Sequence, residues 1–321
     1  MRKALIVGIN EYLQKKLSGC VNDAKEMANL LEYNGNGTKN FDVDLEINIK
    51  KKAELVGKIK ELFAGEEDVA LFYFSGHGYL DETGGYLVTP DYAENDMGID
   101  LSYILKLAND SRCRNKIIIL DSCYSGTMGR TGFHAESSVI SEGITILAAC
   151  TQQQNAVEVE GHGMFTRLLM EALKGGAANV MGKITPGSIY AYVDQALGAW
   201  HQRPVFKTNI SQFVSVRDIE PKIPLQTIRS IQKIFKSQAE EYCLDPSYEF
   251  TNQKKYISEI VKPYAEEEHI KIFKQLQQLE SIGFVEPVGT EHMYFAAMES
   301  KSCRLTVLGQ YFWKLLQEKR I

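Results

Sequence analysis

Four short apolar runs, Ala4 to Ile9, Val69 to Phe74, Ile117 to Leu120 and Ile144 to Ala149, are each bounded by charged, polar or glycine residues. Runs of this length without alternation read as strands covered on both faces. Between and after them, apolar residues recur at helical spacing: Ala24, Met27, Ala28 and Leu31; Leu55, Ile59, Leu62 and Phe63; Phe165, Leu168, Leu169 and Ala172; Ile189, Tyr192, Val193 and Ala196. Each set occupies one helix face. Strands alternating with helices predict an α/β fold, a mainly parallel sheet with helices on both sides, in which ligands lie beyond the carboxyl ends of the strands.

The alternation ends near Gln212 to Val216, read as a short edge strand, before the charged, Pro-bearing stretch Arg217 to Pro224. A boundary there gives a first domain over 1–218 and a smaller one over 222–321. In the second, Ile272, Leu276 and Leu279 mark a helix, Gly283 a turn, Tyr294 to Ala297 short extended pieces, and Leu305 to Leu316 a last helix. Helices, a small hairpin and a final helix resemble a winged helix. Residues 222–321 hold 14 Lys plus Arg against 13 Asp plus Glu. That balance favours a regulatory domain that binds a protein or ligand over a reader of DNA.

The whole chain carries 36 basic and 41 acidic residues, a net charge of -5, so no general basic field draws it to nucleic acid or anionic lipid. No apolar stretch reaches the roughly 18 residues of a membrane span, and Ala4 to Ile9 is shorter than a secretion signal requires. The expected location is the cytoplasm. Six widely spaced cysteines, Cys20, Cys113, Cys123, Cys150, Cys243 and Cys303, form no C-x-x-C pair. They fit neither a dense disulfide framework nor a zinc site, and read as free thiols in a reducing compartment.

Two of the apolar runs lead into reactive residues. Phe74-Ser75-Gly76-His77-Gly78 follows the second, and Asp121-Ser122-Cys123-Tyr124-Ser125-Gly126 follows the third. Parallel neighbours bring both ends to one sheet edge, so His77 and Cys123, 46 positions apart, are predicted to meet. A free thiol of pKa about 8.5 is only slightly ionised at neutral pH, and an adjacent imidazole takes its proton or pairs with the thiolate. The amides of Gly78 and Cys123 are candidate oxyanion donors. No third member of a triad is evident. Cys113 and Cys150 lack a comparable partner and read as structural, as do His134, His162, His201, His269 and His292.

The segments Arg2 to Gly8, Gly19-Cys20-Val21-Asn22-Asp23-Ala24, Ser75 to Gly78 and Asp121 to Gly126 together resemble the caspase-type cysteine peptidase family, closest to its metacaspase-like branch, over about residues 1 to 216. The spacing of His and Cys agrees with the known caspase pattern. The resemblance implies a Cys–His dyad endopeptidase on a six-stranded sheet. Caspases proper cut after Asp; where they place a Gln and a substrate-binding Arg, this chain has Asp121 and Leu17. Carboxylates without that Arg attract a guanidinium, so cleavage after Arg or Lys is expected, with peptide or protein substrates. The resemblance assigns the pocket to Cys20, Asp23, Ser75 and Asp121.

Many metacaspases bind calcium through several Asp residues. Here Thr127 to Phe133 contains no acid, and Asp91 and Asp100 match only in part, so no cofactor or metal is expected. Arg130, in the Gly-rich stretch Gly126 to Phe133, is a candidate site of self-cleavage. Gly35 to Lys39 lacks P-loop spacing and reads as a turn. The resulting expectation is a regulated peptidase, by family analogy an effector in stress, cell suicide or antiphage defence. Two alternatives are a catalytically silent caspase-like binding module and a peptidase coupled to a nucleic-acid-sensing winged helix.

Overall fold

The computed structural model describes residues 1–81, 84–94, 96–124, 139–149, 163–197, 204–211 and 214–321, with Cys123 and Tyr124 described by their backbone. The chain divides into two compact units, Met1–Glu220 and Pro221–Ile321.

In the first unit the strands are β1 (Arg2–Gly8), β2 (Asp42–Ile47), β3 (Val69–Leu80), β4 (Gly85–Ala93), β5 (Asp96–Asp100), β6 (Asn115–Tyr124), β7 (Ile144–Ala148), β8 (Lys183–Ile184), β9 (Val205–Asn209) and β10 (Arg217–Asp218). The main sheet runs β2-β1-β3-β6-β7-β9, and the β4–β5 hairpin extends β3. Its first five strands are parallel, while β9 closes the edge antiparallel to β7. The edge strand is therefore β9 and not the expected Gln212 to Val216, of which Val214 to Val216 lie outside any strand and Gln212 and Phe213 lie outside the described residues.

Each apolar strand is divided between two cores because successive side chains point to opposite faces. Leu5, Val7, Phe72, Phe74, Ile118 and Leu120 meet α2 (Lys52–Ala64) and α3 (Leu101–Asp110), whereas Ala4, Ile6, Leu71, Tyr73, Ile117 and Ile119 meet α1 (Cys20–Glu32), α4 (Met164–Glu171) and α5 (Pro186–Leu197). Gly8 lets α1 approach: a Cβ there would lie 2.3 Å from the Cys20 carbonyl oxygen and 2.6 Å from Ala24 Cβ. No helix among the described residues is long and apolar enough to cross a membrane.

The second unit contains α6 (Leu225–Ile234), α7 (Glu267–Ser281), α8 (Met293–Met298) and α9 (Val307–Gln317), with an antiparallel sheet ordered β11 (Glu241–Cys243), β13 (Ser302–Leu305), β12 (Val285–Val288). The segment Tyr294 to Ala297, expected to be extended, is part of helix α8. Burial of Met293, Ala296 and Ala297 at i, i+3 and i+4 places one face of that short helix inward.

Candidate active site

Parallel register carries the motif residues to one edge. Gly8 of β1 is opposite Ser75 of β3, and Ser75 is opposite Asp121 of β6. Two residues further, His77 is opposite Cys123, and then Gly78 opposite Tyr124. The ladder thus continues through both motifs. The expected strand ends at Phe74 and Leu120 fall short because polar residues at 75–78 and 121–124 look like loop in sequence, yet their backbones pair with each other and β3 passes on to pair with β4.

The His77 ring is held from several sides. Its Nε2 lies 2.5 Å from the Lys15 carbonyl oxygen. A carbonyl can only accept, so Nε2 carries the hydrogen and a neutral ring has its lone pair on Nδ1. The backbone N–H of His77 donates to the Tyr12 hydroxyl at 3.0 Å, and the two rings lie 4.5 Å apart between centroids. Tyr12 is buried, its hydroxyl donates to the Val88 carbonyl at 3.4 Å, and burial pushes its pKa up, so it remains protonated. A Cβ on Gly76 would sit 2.5 Å from that hydroxyl. Tyr12→Phe, which strands the His77 amide, is expected to cost about 1–2 kcal/mol in urea unfolding, and Gly76→Ala more, because it expels the phenol.

The loop bearing Tyr12 and Lys15 is organised by Asn10. Its side chain accepts from the Val21 amide at 3.2 Å and donates to the Ser18 carbonyl at 3.1 Å, while its backbone N–H donates to Asn48 Oδ1 at 2.9 Å. Lys15 adopts φ 52, a left-handed conformation that a side chain disfavours.

Two register positions before His77 and Cys123, Ser75 and Asp121 lie opposite each other, and the acids Asp23 and Asp121 gather there. Ser75 Oγ donates to Asp23 Oδ2 at 3.2 Å, and Asp23, in the first turn of α1, is buried. Cys20 opens the same helix, half-buried. Asp121 Oδ2 accepts from Thr166 Oγ1 at 2.5 Å, and Thr166 Oγ1 is 2.7 Å from the Tyr73 hydroxyl. Since Thr166 gives its single proton to Asp121, Tyr73 is the donor in the second bond. Loss of solvent pushes the Asp121 pKa up to about 6, against the Thr166 hydroxyl bond and with a further upward contribution from the charge of Asp23. A Cβ on Gly163 would stand 2.9 Å from Asp121 Oδ2, so the start of α4 approaches the carboxylate closely.

The two acids that match the calcium pattern in part both sit at helix starts. Asp91 accepts from the Lys52 amide at the start of α2, and Asp100 caps α3 by accepting from the Ser102 amide. Each is engaged in capping a different helix, and no metal-binding cluster occurs among the described residues. Leu17 packs, partly buried, against the apolar core. Cys113 is buried with its thiol 3.4 Å from the Gly65 carbonyl, and His269 bonds Ser247 and stacks on Tyr248, all structural arrangements. Arg130, the Thr127 to Phe133 stretch, Cys150, His134, His162 and His201 lie outside the described residues. Asn10, Tyr12, Lys15, Tyr73 and Thr166 were not identifiable as site residues from their own neighbourhoods; the position of Tyr12 just beyond β1 was the one available signal.

Comparison with known proteins supplies the remaining observation. The caspase domain matches residues 1–215. Metacaspase-1 of Mycosarcoma maydis is 30% identical over 145 residues, covering 39% of this chain and 36% of its own. Metacaspase-1 of Debaryomyces hansenii is 32% identical over 146 residues, 39% of this chain and 33% of its own, and metacaspase-1A of Aspergillus oryzae is 32% identical over 145 residues, 39% and 35%. The chain spans about a third of the length of these relatives.

Proposed function

The chain belongs to the caspase domain family, and from that premise we propose that it is a cysteine endopeptidase cleaving after Arg or Lys, with Cys123 as nucleophile and His77 as its acid–base partner. The observation that carries this reading is the pairing of His77 with Cys123 across β3 and β6, beside an imidazole oriented by the Lys15 carbonyl.

With Nε2–H engaged by Lys15, Nδ1 is the nitrogen left to accept the thiol proton. The thiolate attacks the scissile carbonyl, the amides of Gly78 and Cys123 receive the oxyanion, and His77 returns the proton to the departing amine. Each oxyanion donor is worth about 3 kcal/mol in reactions of this type. Water then releases the acyl group. Tyr12 acts through His77, as a positioning residue.

Asp23 and Asp121, with Ser75 and Cys20 at the margin, form the pocket for the P1 side chain. Two acids, with Leu17 where caspases proper place a substrate-binding Arg, attract a guanidinium or ammonium and repel a substrate carboxylate. The similarity to metacaspases favours this choice over the Asp preference of caspases proper. Residues 1–218 are the peptidase domain and residues 222–321 a winged-helix-like regulatory or interaction domain, in a cytoplasmic effector of stress, cell suicide or antiphage defence, with Arg130 as a site of self-cleavage.

The test is a set of fluorogenic peptides that differ only at P1. Arg and Lys peptides are expected to be cut at least about 100-fold faster than Asp or Leu peptides, the ratio expected when the favoured ion pair is replaced by repulsion or an unpaired charge. Preference for Asp would overturn the pocket assignment.

A further inference from the structure

The second unit carries a surface that the peptidase chemistry does not use. From Glu249 to Glu266 the chain contains neither helix nor strand, an unusually long connection for a compact domain and a common property of binding loops. It is firmly held. Asn252 is fully buried, with Nδ2 directed at the carbonyls of Pro246, Val261 and Pro263 at 3.0, 2.7 and 3.1 Å, while Oδ1 accepts from the Val261 amide at 2.9 Å. One amide therefore ties both arms of the loop together.

Although the backbone is fixed, its aromatic rings face water: Phe250 is 43%, Tyr256 50% and Tyr264 52% exposed. Phe250 and Tyr256 meet at 5.6 Å, edge to face. An ammonium accompanies each ring: Lys274 at 6.0 Å from Phe250, Lys255 at 5.3 Å from Tyr256 and Lys262 at 5.8 Å from Tyr264. These three and exposed Lys254 enter no ion pair among the described residues. Some of the nearby acids have partners of their own. The buried Glu249 carboxylate accepts from the Thr251 amide and hydroxyl, Glu267 and Glu268 pair with Lys271, and Glu266 lies 3.7 Å from His269. Glu259 faces solvent.

We propose that this surface binds single-stranded nucleic acid. Unpaired bases stack on exposed rings, and lysines beside those rings neutralise the phosphates between the bases. A base sliding over Tyr256 or Tyr264 displaces the ammonium from the ring face, and the phosphate attached to that base gives the ammonium its new partner. Residues 249–274 hold five lysines and five glutamates, so the attraction for phosphate rests on the local placement of the four lysines that enter no ion pair among the described residues, three of them beside rings. A duplex keeps its bases stacked on one another and offers these rings nothing. A lipid surface calls for a continuous apolar face, whereas Val261 is the one large aliphatic exposed on the loop.

The test uses the full chain and fluorescence anisotropy of short labelled oligo-dT and oligo-U, with a hairpin duplex and vesicles of phosphatidylcholine and phosphatidylserine as competitors. Single strands are expected to bind, with a slope of log affinity against log salt of about -3 from four lysines at roughly 0.7 each. Phe250→Ala, Tyr256→Ala and Tyr264→Ala together should weaken binding at least about 100-fold while preserving the slope, and Gln at Lys254, Lys255, Lys262 and Lys274 should flatten it. Thermal unfolding checks every variant, and Tyr264→Ala alone, with roughly a tenfold loss, serves if the triple variant is unstable. Absence of binding at low salt, an unaffected triple variant, or displacement of the oligonucleotide by vesicles or duplex at comparable concentration would overturn the proposal.

Discussion

Cys123→Ala and His77→Ala are each expected to reduce cleavage of an Arg peptide by at least about 10⁴-fold, and the double variant should be scarcely worse than either single one. The non-additivity is the informative part. A thiol without the imidazole keeps its proton at neutral pH, and an imidazole without the thiol has no nucleophile to activate, so either loss removes the same step. Folding should survive in Cys123→Ala, because the β3–β6 ladder that sets the register is made by backbone groups. His77→Ala also leaves the Lys15 carbonyl without its donor and is expected to unfold slightly earlier. Losses that multiply in the double variant would mean that the two residues act separately, and near-normal turnover by either single variant would remove it from the reaction.

The sequence made the central strands readable because each consists of consecutive apolar residues shared between two cores, as Phe72 and Tyr73 are. It also placed His77 and Cys123 on neighbouring strands, since parallel order converts a separation of 46 residues into one register step. What stayed hidden had weaker local patterns. Strand β2 is mostly exposed, and β9 is only partly buried. Helix α3 is the exception, with Leu101, Ile104, Leu105 and Ala108 making a clear helical face in a short segment between two strands. The hydrogen-bond partner of the imidazole was invisible for a different reason. It is a backbone carbonyl, and the identity of Lys15 as an amino acid says nothing about where its carbonyl points. Thr166 is likewise 45 residues from Asp121, and its role exists only because Gly163 permits the start of α4 to come close.

Asp121→Asn is expected to abolish most cleavage after Arg while making the protein more stable at neutral pH. The folded pKa of about 6 lies above the roughly 3.9 of an unfolded aspartate. Between those values the native chain retains a proton that the unfolded chain has released. Stability therefore falls as pH rises through this window, and the loss is complete above about pH 6. Two pH units correspond to about 3 kcal/mol, which Asn, being neutral and still able to accept from Thr166, removes. The variant should match wild type near pH 4 and exceed it by up to that amount at pH 7.5, read from urea unfolding at both pH values. A guanidinium entering the pocket meets the ionised carboxylate, so the wild-type KM for an Arg peptide should rise as pH drops below about 6, and the preference for Arg over its neutral isostere citrulline should collapse in the variant. A structural acid would give the opposite pair of results: Asn would destabilise the fold at neutral pH, and the Arg-to-citrulline ratio would hold. A carboxylate kept where it weakens the fold and needed where a cation binds is the expected trade of stability for specificity.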